Sequence, residues 1–229
     1  MTKLTKYNSV DYSILMQVFK NTKCDNWIAN IIENFIYEWV EEKYEDGSLK
    51  MIYLTRFGIK DGEYKEWWKN GQLYMHCNYN KGELEGEYKR WWDNGQLWAH
   101  RYHNKEKLVG EFKSWQDNGQ LWAHHNYIKG RREGECKWYK NGQLNVFCNY
   151  KDNKLEGEYK TFYNTGEIEI ECNYKEGELE GEYKQWYLNG QLMEYCNYNE
   201  GKKEGEYKEW DNEGNLIKDK LYLNGVKIN

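Results

Sequence analysis

The feature that most constrains this chain is a period. Turn glycines at Gly47, Gly71, Gly95, Gly119, Gly142, Gly166, Gly190 and Gly214 step by 24 residues, with a single 23-residue step between Gly119 and Gly142. Each lies in a segment such as Asp93-Asn94-Gly95-Gln96-Leu97 or Leu188-Asn189-Gly190-Gln191-Leu192, between runs rich in Trp and Tyr. A unit of this size cannot bury its apolar face alone and gains stability by stacking on copies of itself. The expected fold is mostly β: an elongated meander of about eight β-hairpins over residues 38–229.

Asn-Gly between two apolar runs favours a two-residue type I′ turn, in which both central residues take positive φ. With Asn94 and Gly95 at the tip, Trp92 faces Leu97, Trp91 faces Trp98, Lys89 faces His100 and Tyr88 faces Arg101. The same rule sets Tyr187 opposite Leu192, Tyr183 opposite Cys196 and Gly181 opposite Tyr198. A Gly faced by a Tyr recurs at Gly62 with Tyr79 and at Gly157 with Tyr174. There the ring covers bare backbone and pins the register. A second turn, such as Asn80-Lys81-Gly82-Glu83, closes each period and leads into Leu84-Glu85-Gly86-Glu87-Tyr88.

Alternation of side chains then divides the residues between two faces. Leu84, Tyr88, Trp92, Leu97 and Ala99 share one face with the cysteines, while Glu87, Lys89 and the Trp67, Trp91, Trp115, Trp186 column share the other. The shortened step falls on Gly134-Glu135-Cys136-Lys137-Trp138-Tyr139. A one-residue slip would turn Cys136 to the wrong face, so a bulge or bend is expected at residues 132–140. Before the hairpins, Ile14, Leu15, Val18 and Phe19, then Trp27, Ile28, Ile31, Ile32, Phe35 and Ile36, recur at helical spacing. Residues 1–37 are expected to form an α-helical cap, since open arrays need their ends covered.

The tract Tyr79-Asn80-Lys81-Gly82-Glu83-Leu84-Glu85-Gly86-Glu87-Tyr88, with its copies ending at Tyr159, Tyr183 and Tyr207, resembles MORN repeats. It is similar to the variant of bacterial antitoxin-like and giant-virus proteins, where Trp/Tyr-Asn-Gly-Gln-Leu alternates with Asn-Gly-Lys-x-x-Gly. The copies depart from that pattern where Glu106 and Asn153 replace the second turn glycine and where Phe112 and Cys136 replace the first Tyr. The resemblance implies a hairpin meander used for protein contacts or self-association.

Composition narrows the partners. A net charge of −5 argues against nucleic acid and weakens docking on anionic lipid. No basic stretch precedes an apolar run, and no segment approaches a membrane span, so a cytoplasmic location is expected, in host cytoplasm if the chain is viral. Aromatics are 17% of residues, so the core is built of rings. Of the six cysteines, Cys77, Cys148, Cys172 and Cys196 fall in one column, two strands apart. That spacing of roughly 9.5 Å exceeds disulfide reach, so they read as reduced.

His76, His100 and His124 form another column, spaced too widely to share a metal ion. The Gly-Glu-Tyr-Lys rows, such as Glu63/Lys65 and Glu182/Lys184, repeat unchanged. An active site is singular, so neither catalytic, cofactor nor metal residues are assigned and no enzyme is expected. The candidate partner site is the aromatic set Trp67–Tyr74, Trp91–Trp98 and Trp115–Trp122, with His76, His100 and His124, on the charged face. Rings clustered on an exposed face mark binding surfaces. The expected function is a non-enzymatic scaffold that binds a protein partner or forms a homodimer. A carbohydrate- or lipid-binding module using the Trp/Tyr stripe is the alternative.

Overall fold

The computed structural model describes residues 37–228. The helical cap expected over residues 1–37 lies outside them, except for Tyr37, which opens the first strand. The chain divides into two compact units at Lys107/Leu108. In the first, β1 (Tyr37–Lys43), β2 (Leu49–Arg56), β3 (Ile59–Trp67), β4 (Leu73–Asn80), β5 (Glu83–Trp91) and β6 (Leu97–Asn104) pair in sequence as an antiparallel meander.

The second unit holds β7 (Lys107–Trp115), β8 (Leu121–Ile128), the two-residue β9 (Arg131–Arg132), β10 (Gly134–Lys140), β11 (Gln143–Lys151) and β12 (Lys154–Phe162). It continues with β13 (Ile168–Lys175), β14 (Glu178–Trp186), β15 (Leu192–Asn199), β16 (Lys202–Trp210), β17 (Leu216–Leu223) and the short β18 (Val226–Lys227). Here too each strand pairs with its neighbour in sequence, except that β8 pairs with both β9 and β10.

Buried on one face of the strands is a row of side chains that includes Cys77 in the first unit and Cys136, Cys148, Cys172 and Cys196 in the second; Ala99 in the first and Ala123 and Ser114 in the second are buried beside it. Along one stretch it reads Cys148, Tyr159, Cys172, Tyr183, Cys196, Tyr207, each facing the next across a strand pair. Small sulfur beside large ring keeps the volume even and lets each Tyr lie across its neighbour. The register that sets Gly opposite Tyr is present as expected at Gly62/Tyr79, Gly157/Tyr174 and Gly181/Tyr198. These tyrosine rings meet the core tyrosines edge to face, as in Tyr64–Tyr79 at 5.9 Å and Tyr159–Tyr174 at 5.5 Å.

The hairpin tips depart from the type I′ expectation. At Trp92-Asp93-Asn94-Gly95, the Gly95 amide donates to the Trp92 carbonyl at 3.0 Å and the Trp92 amide to that of Gln96 at 2.8 Å. Only Gly95 has positive φ, +84°, so the loop has three residues and Asn94 keeps an ordinary backbone. The longer loop sets Trp91, not Trp92, opposite Leu97, and a β-bulge at Trp98 then restores the register. Farther from the tip Lys89 faces His100 and Tyr88 faces Arg101, as expected. The same correction holds for Trp186, which takes the place expected for Tyr187 opposite Leu192. Two irregularities cancel, so the distal register looks like that of a two-residue turn.

True two-residue turns with paired positive φ close the other end of each unit, as at Lys81-Gly82 and Glu176-Gly177. Where the glycine is missing, Glu106 and Asn153 still take positive φ, 65° and 68°. Their side chains repay the strain: Glu106 Oε1 accepts from the Leu84 amide at 2.6 Å, and Asn153 Oδ1 from that of Arg132 at 2.7 Å.

The 23-residue step is absorbed at its own tip. Asn141 and Gly142 have φ of 52° and 78°, and Lys140 faces Gln143 directly, so this hairpin has lost one loop residue. The bulge opposite Trp138 remains, and Cys136 stays buried opposite Cys148. A break in pairing does occur at Glu133, between β9 and β10. The two-residue offset there also occurs between Leu84 and Tyr88, so it belongs to the repeat and not to the deletion.

Candidate functional site

The bulge re-aims the tip aromatics. Trp98 packs on Trp92 with ring centroids 4.8 Å apart, and Tyr74 on Trp68 at 4.5 Å. The cross-strand pairs Trp67–Tyr74 and Trp91–Trp98 expected from sequence are replaced, because Leu73 and Leu97 stand opposite those tryptophans. Trp115 likewise faces Leu121 and not Trp122, and Trp122 is 50% exposed. Arg90 lies between the two new pairs, its guanidinium 4.6 Å from the centroids of both Tyr74 and Trp98. Arg90 faces Met75 and Ala99, so this cluster shares the face of the cysteine row and not the charged face.

His76 and His100 stay on the other face, so they are not part of this cluster. His76 Nε2 meets Glu63 at 3.0 Å and His100 Nε2 meets Glu87 at 2.9 Å. His124 Nε2 is equally near Glu111, at 2.9 Å, without the alignment of a hydrogen bond. Lys65, Lys89 and Lys113 complete the three trios at 2.7–2.8 Å. These lysines hold the Glu63, Glu87 and Glu111 carboxyls below their ordinary value, with the histidines adding to the effect.

The first glutamate of each Leu-Glu-Gly-Glu-Tyr tract has a role that sequence reasoning missed. Glu85, Glu156 and Glu180 accept from the Lys105, Glu176 and Glu200 amides at 2.8–3.0 Å, capping the turn of the following hairpin. Tip residues reach the same way: Tyr163 Oη donates to the Trp186 carbonyl at 2.7 Å and Tyr187 Oη to that of Trp210 at 3.0 Å. The signal was present, since the glutamate and the tip aromatic recur at fixed places; their partners belong to the next period.

Cys136 was also passed over. On the strand beside the cysteine column it faces Cys148 directly, and the β8–β10 register brings His125 alongside. The Cys148 thiol donates toward Cys136 and lowers its pKa, with His125 and Arg132 acting in the same direction, while Cys148 is raised. Burial pushes Cys172 and Cys196 up to about 11. Among the described residues no group of three His, Cys, Asp or Glu is arranged to hold a metal ion.

At the last full strand the core row ends in a charge: Lys220 takes the cysteine position and faces Tyr207. Among the described residues, the outer side of β17 pairs through Tyr222 and Leu223 with β18, and through the Leu221 carbonyl. An inward-facing lysine on such an edge discourages another strand from adding to it.

Six stretches match a family model described as MORN repeat variant: residues 60–81, 84–105, 108–129, 155–176, 179–200 and 203–224. Together they cover more than half of the 229 residues. The unmatched interval between 129 and 155 holds the shortened hairpin with Cys136 and Cys148. No curated protein matches the chain.

Proposed function

Because this chain belongs to the MORN repeat variant family, we propose that it is a non-enzymatic scaffold whose aromatic sheet face binds a protein partner or a second copy of itself. The observation that carries this reading is the Trp68–Tyr74–Arg90–Trp98–Trp92 cluster. Its rings are only half-buried, and Arg90 makes no ion pair with a carboxylate among the described residues. A guanidinium held between two rings is pre-ordered, so docking an apolar side chain and a carboxylate on it costs little further entropy. Aromatic and Arg side chains together are the usual energetic centre of protein interfaces.

The guarded β17 edge favours association through the face over strand addition. The bacterial and giant-virus type of the repeats, and a cytoplasmic location, belong to the same proposal; free buried thiols suit a reducing compartment.

Light scattering coupled to size exclusion, over a concentration series of reduced protein, tests the reading. A mass near twice 28.0 kDa that reverts to monomer in Trp98→Ala places the cluster in a homotypic interface. A monomer whose hydrophobic-dye binding is lost in Trp98→Ala directs the search to a foreign partner. A monomer that binds no dye, with Trp98→Ala unchanged, refutes the proposal.

A further inference from the structure

Through most of the second unit the core row alternates cysteine with tyrosine, which keeps thiols two strands apart. Among the described residues cysteine stands directly opposite cysteine at one place, in the shortened hairpin. Cys136 stands where its siblings carry tyrosine or, at Phe112, phenylalanine, so it faces Cys148 across one strand pair. Residues so opposed have Cα atoms about 4.5–5.5 Å apart, inside the range that a disulfide spans. On the other flank of Cys136 lies His125, 4% exposed, stacked on Phe112 and set against Trp138, with Nδ1 lacking a hydrogen-bond partner. A buried, unpartnered imidazole nitrogen beside one of two adjoining thiols needs an explanation that packing does not provide.

We propose that Cys136 and Cys148 are a redox-active pair that closes into a cross-strand disulfide on reaction with a peroxide, with His125 as the base that takes the Cys136 proton. The Cys136 thiolate attacks one peroxide oxygen, and the O–O bond breaks. Cys136 becomes a sulfenic acid, and the departing hydroxide takes the proton from His125 to leave as water. The Cys148 sulfur then attacks the Cys136 sulfur and the S–O bond breaks. The hydroxide released leaves with the Cys148 proton as a second water. Two thiols supply the two electrons that reduce one peroxide to two waters.

Cys172 and Cys196 lack both requirements. Each is flanked by tyrosine on both sides, and burial keeps each thiol protonated. By contrast Cys136 is held toward the thiolate by Cys148, His125 and Arg132. Both thiols are almost fully buried, so the site suits a small oxidant.

The test is limited treatment of the reduced full chain with hydrogen peroxide, followed by alkylation under denaturing conditions and peptide mass mapping. The expected result is loss of two of the six thiols, with the residue 136 and 148 peptides joined and restored by reductant. His125→Phe should slow closure about tenfold without changing which peptides join. Cys148→Ser should leave a sulfenic acid on Cys136 that a carbon nucleophile traps. Equal loss at all six cysteines, a link between other residues, or no loss would overturn the proposal. The wild-type mapping stands whether or not a variant folds.

Discussion

The dipeptide Asn-Gly occupies two kinds of turn in this protein, and the difference can be measured. Asn141 sits in the left-handed region at φ 52°, so the turn uses its backbone. Asn189 has an ordinary backbone, and its side chain does the work. Its Oδ1 accepts from the Gln191 amide at 3.0 Å, and its Nδ2 donates to the Asn212 carbonyl at 2.8 Å. Asn189→Ala removes two exposed hydrogen bonds, about 1 kcal/mol together. Asn189→Gly removes the same two and adds roughly 0.5–1 kcal/mol of backbone entropy, so glycine is the worse substitute there.

At 141 the order reverses. Alanine in the left-handed region costs about 1–2 kcal/mol, whereas glycine adopts it freely and comes out near neutral. The two sites should therefore differ in their Ala-minus-Gly preference by roughly 2 kcal/mol. Urea unfolding of the four variants, followed by tryptophan fluorescence and compared at equal slope, reads that difference. The same order of Ala and Gly at both sites would refute the turn assignment.

Tyr163→Phe removes the hydrogen bond to the Trp186 carbonyl and should cost about 1 kcal/mol, read as a lower urea midpoint. For Glu63, Glu87 and Glu111 the folded carboxyl lies below its ordinary value of 4.5. Their contribution is therefore full above that value and is lost as pH falls below it. Unfolding midpoints across an acid series should decline there, and the step should shrink in high salt because these pairs are partly exposed. Lys220→Val removes the inward charge from the β17 edge and should shift size exclusion toward higher mass; unchanged elution would remove the edge-guarding role.

What the sequence carries well is the distal register. Pairings such as Gly181 with Tyr198 and Lys89 with His100 follow from counting outward from Asn-Gly. They hold although the loop has one residue more than counted, because the bulge at Trp98 subtracts it again. Between tip and bulge the count is off by one, and there the expected aromatic pairs were assigned to the wrong partners. In a strand an error of one residue is an error of face. The aromatic cluster therefore shares Tyr74 and Trp98 with the set expected from sequence, while Trp68, Arg90 and Trp92 became visible only with the bulge in place.

The 24-residue period, the ring-rich core and the family are properties of the sequence by itself, because repetition and composition are local and survive small errors of register. Tertiary structure alone decided which face each tip aromatic occupies, how the missing residue is absorbed at Asn141-Gly142, and that Cys136 lies between His125 and Cys148. Those outcomes depend on bulges and loop lengths, where two backbone paths of similar local preference differ by one residue. Stacking on the neighbouring hairpins selects between them.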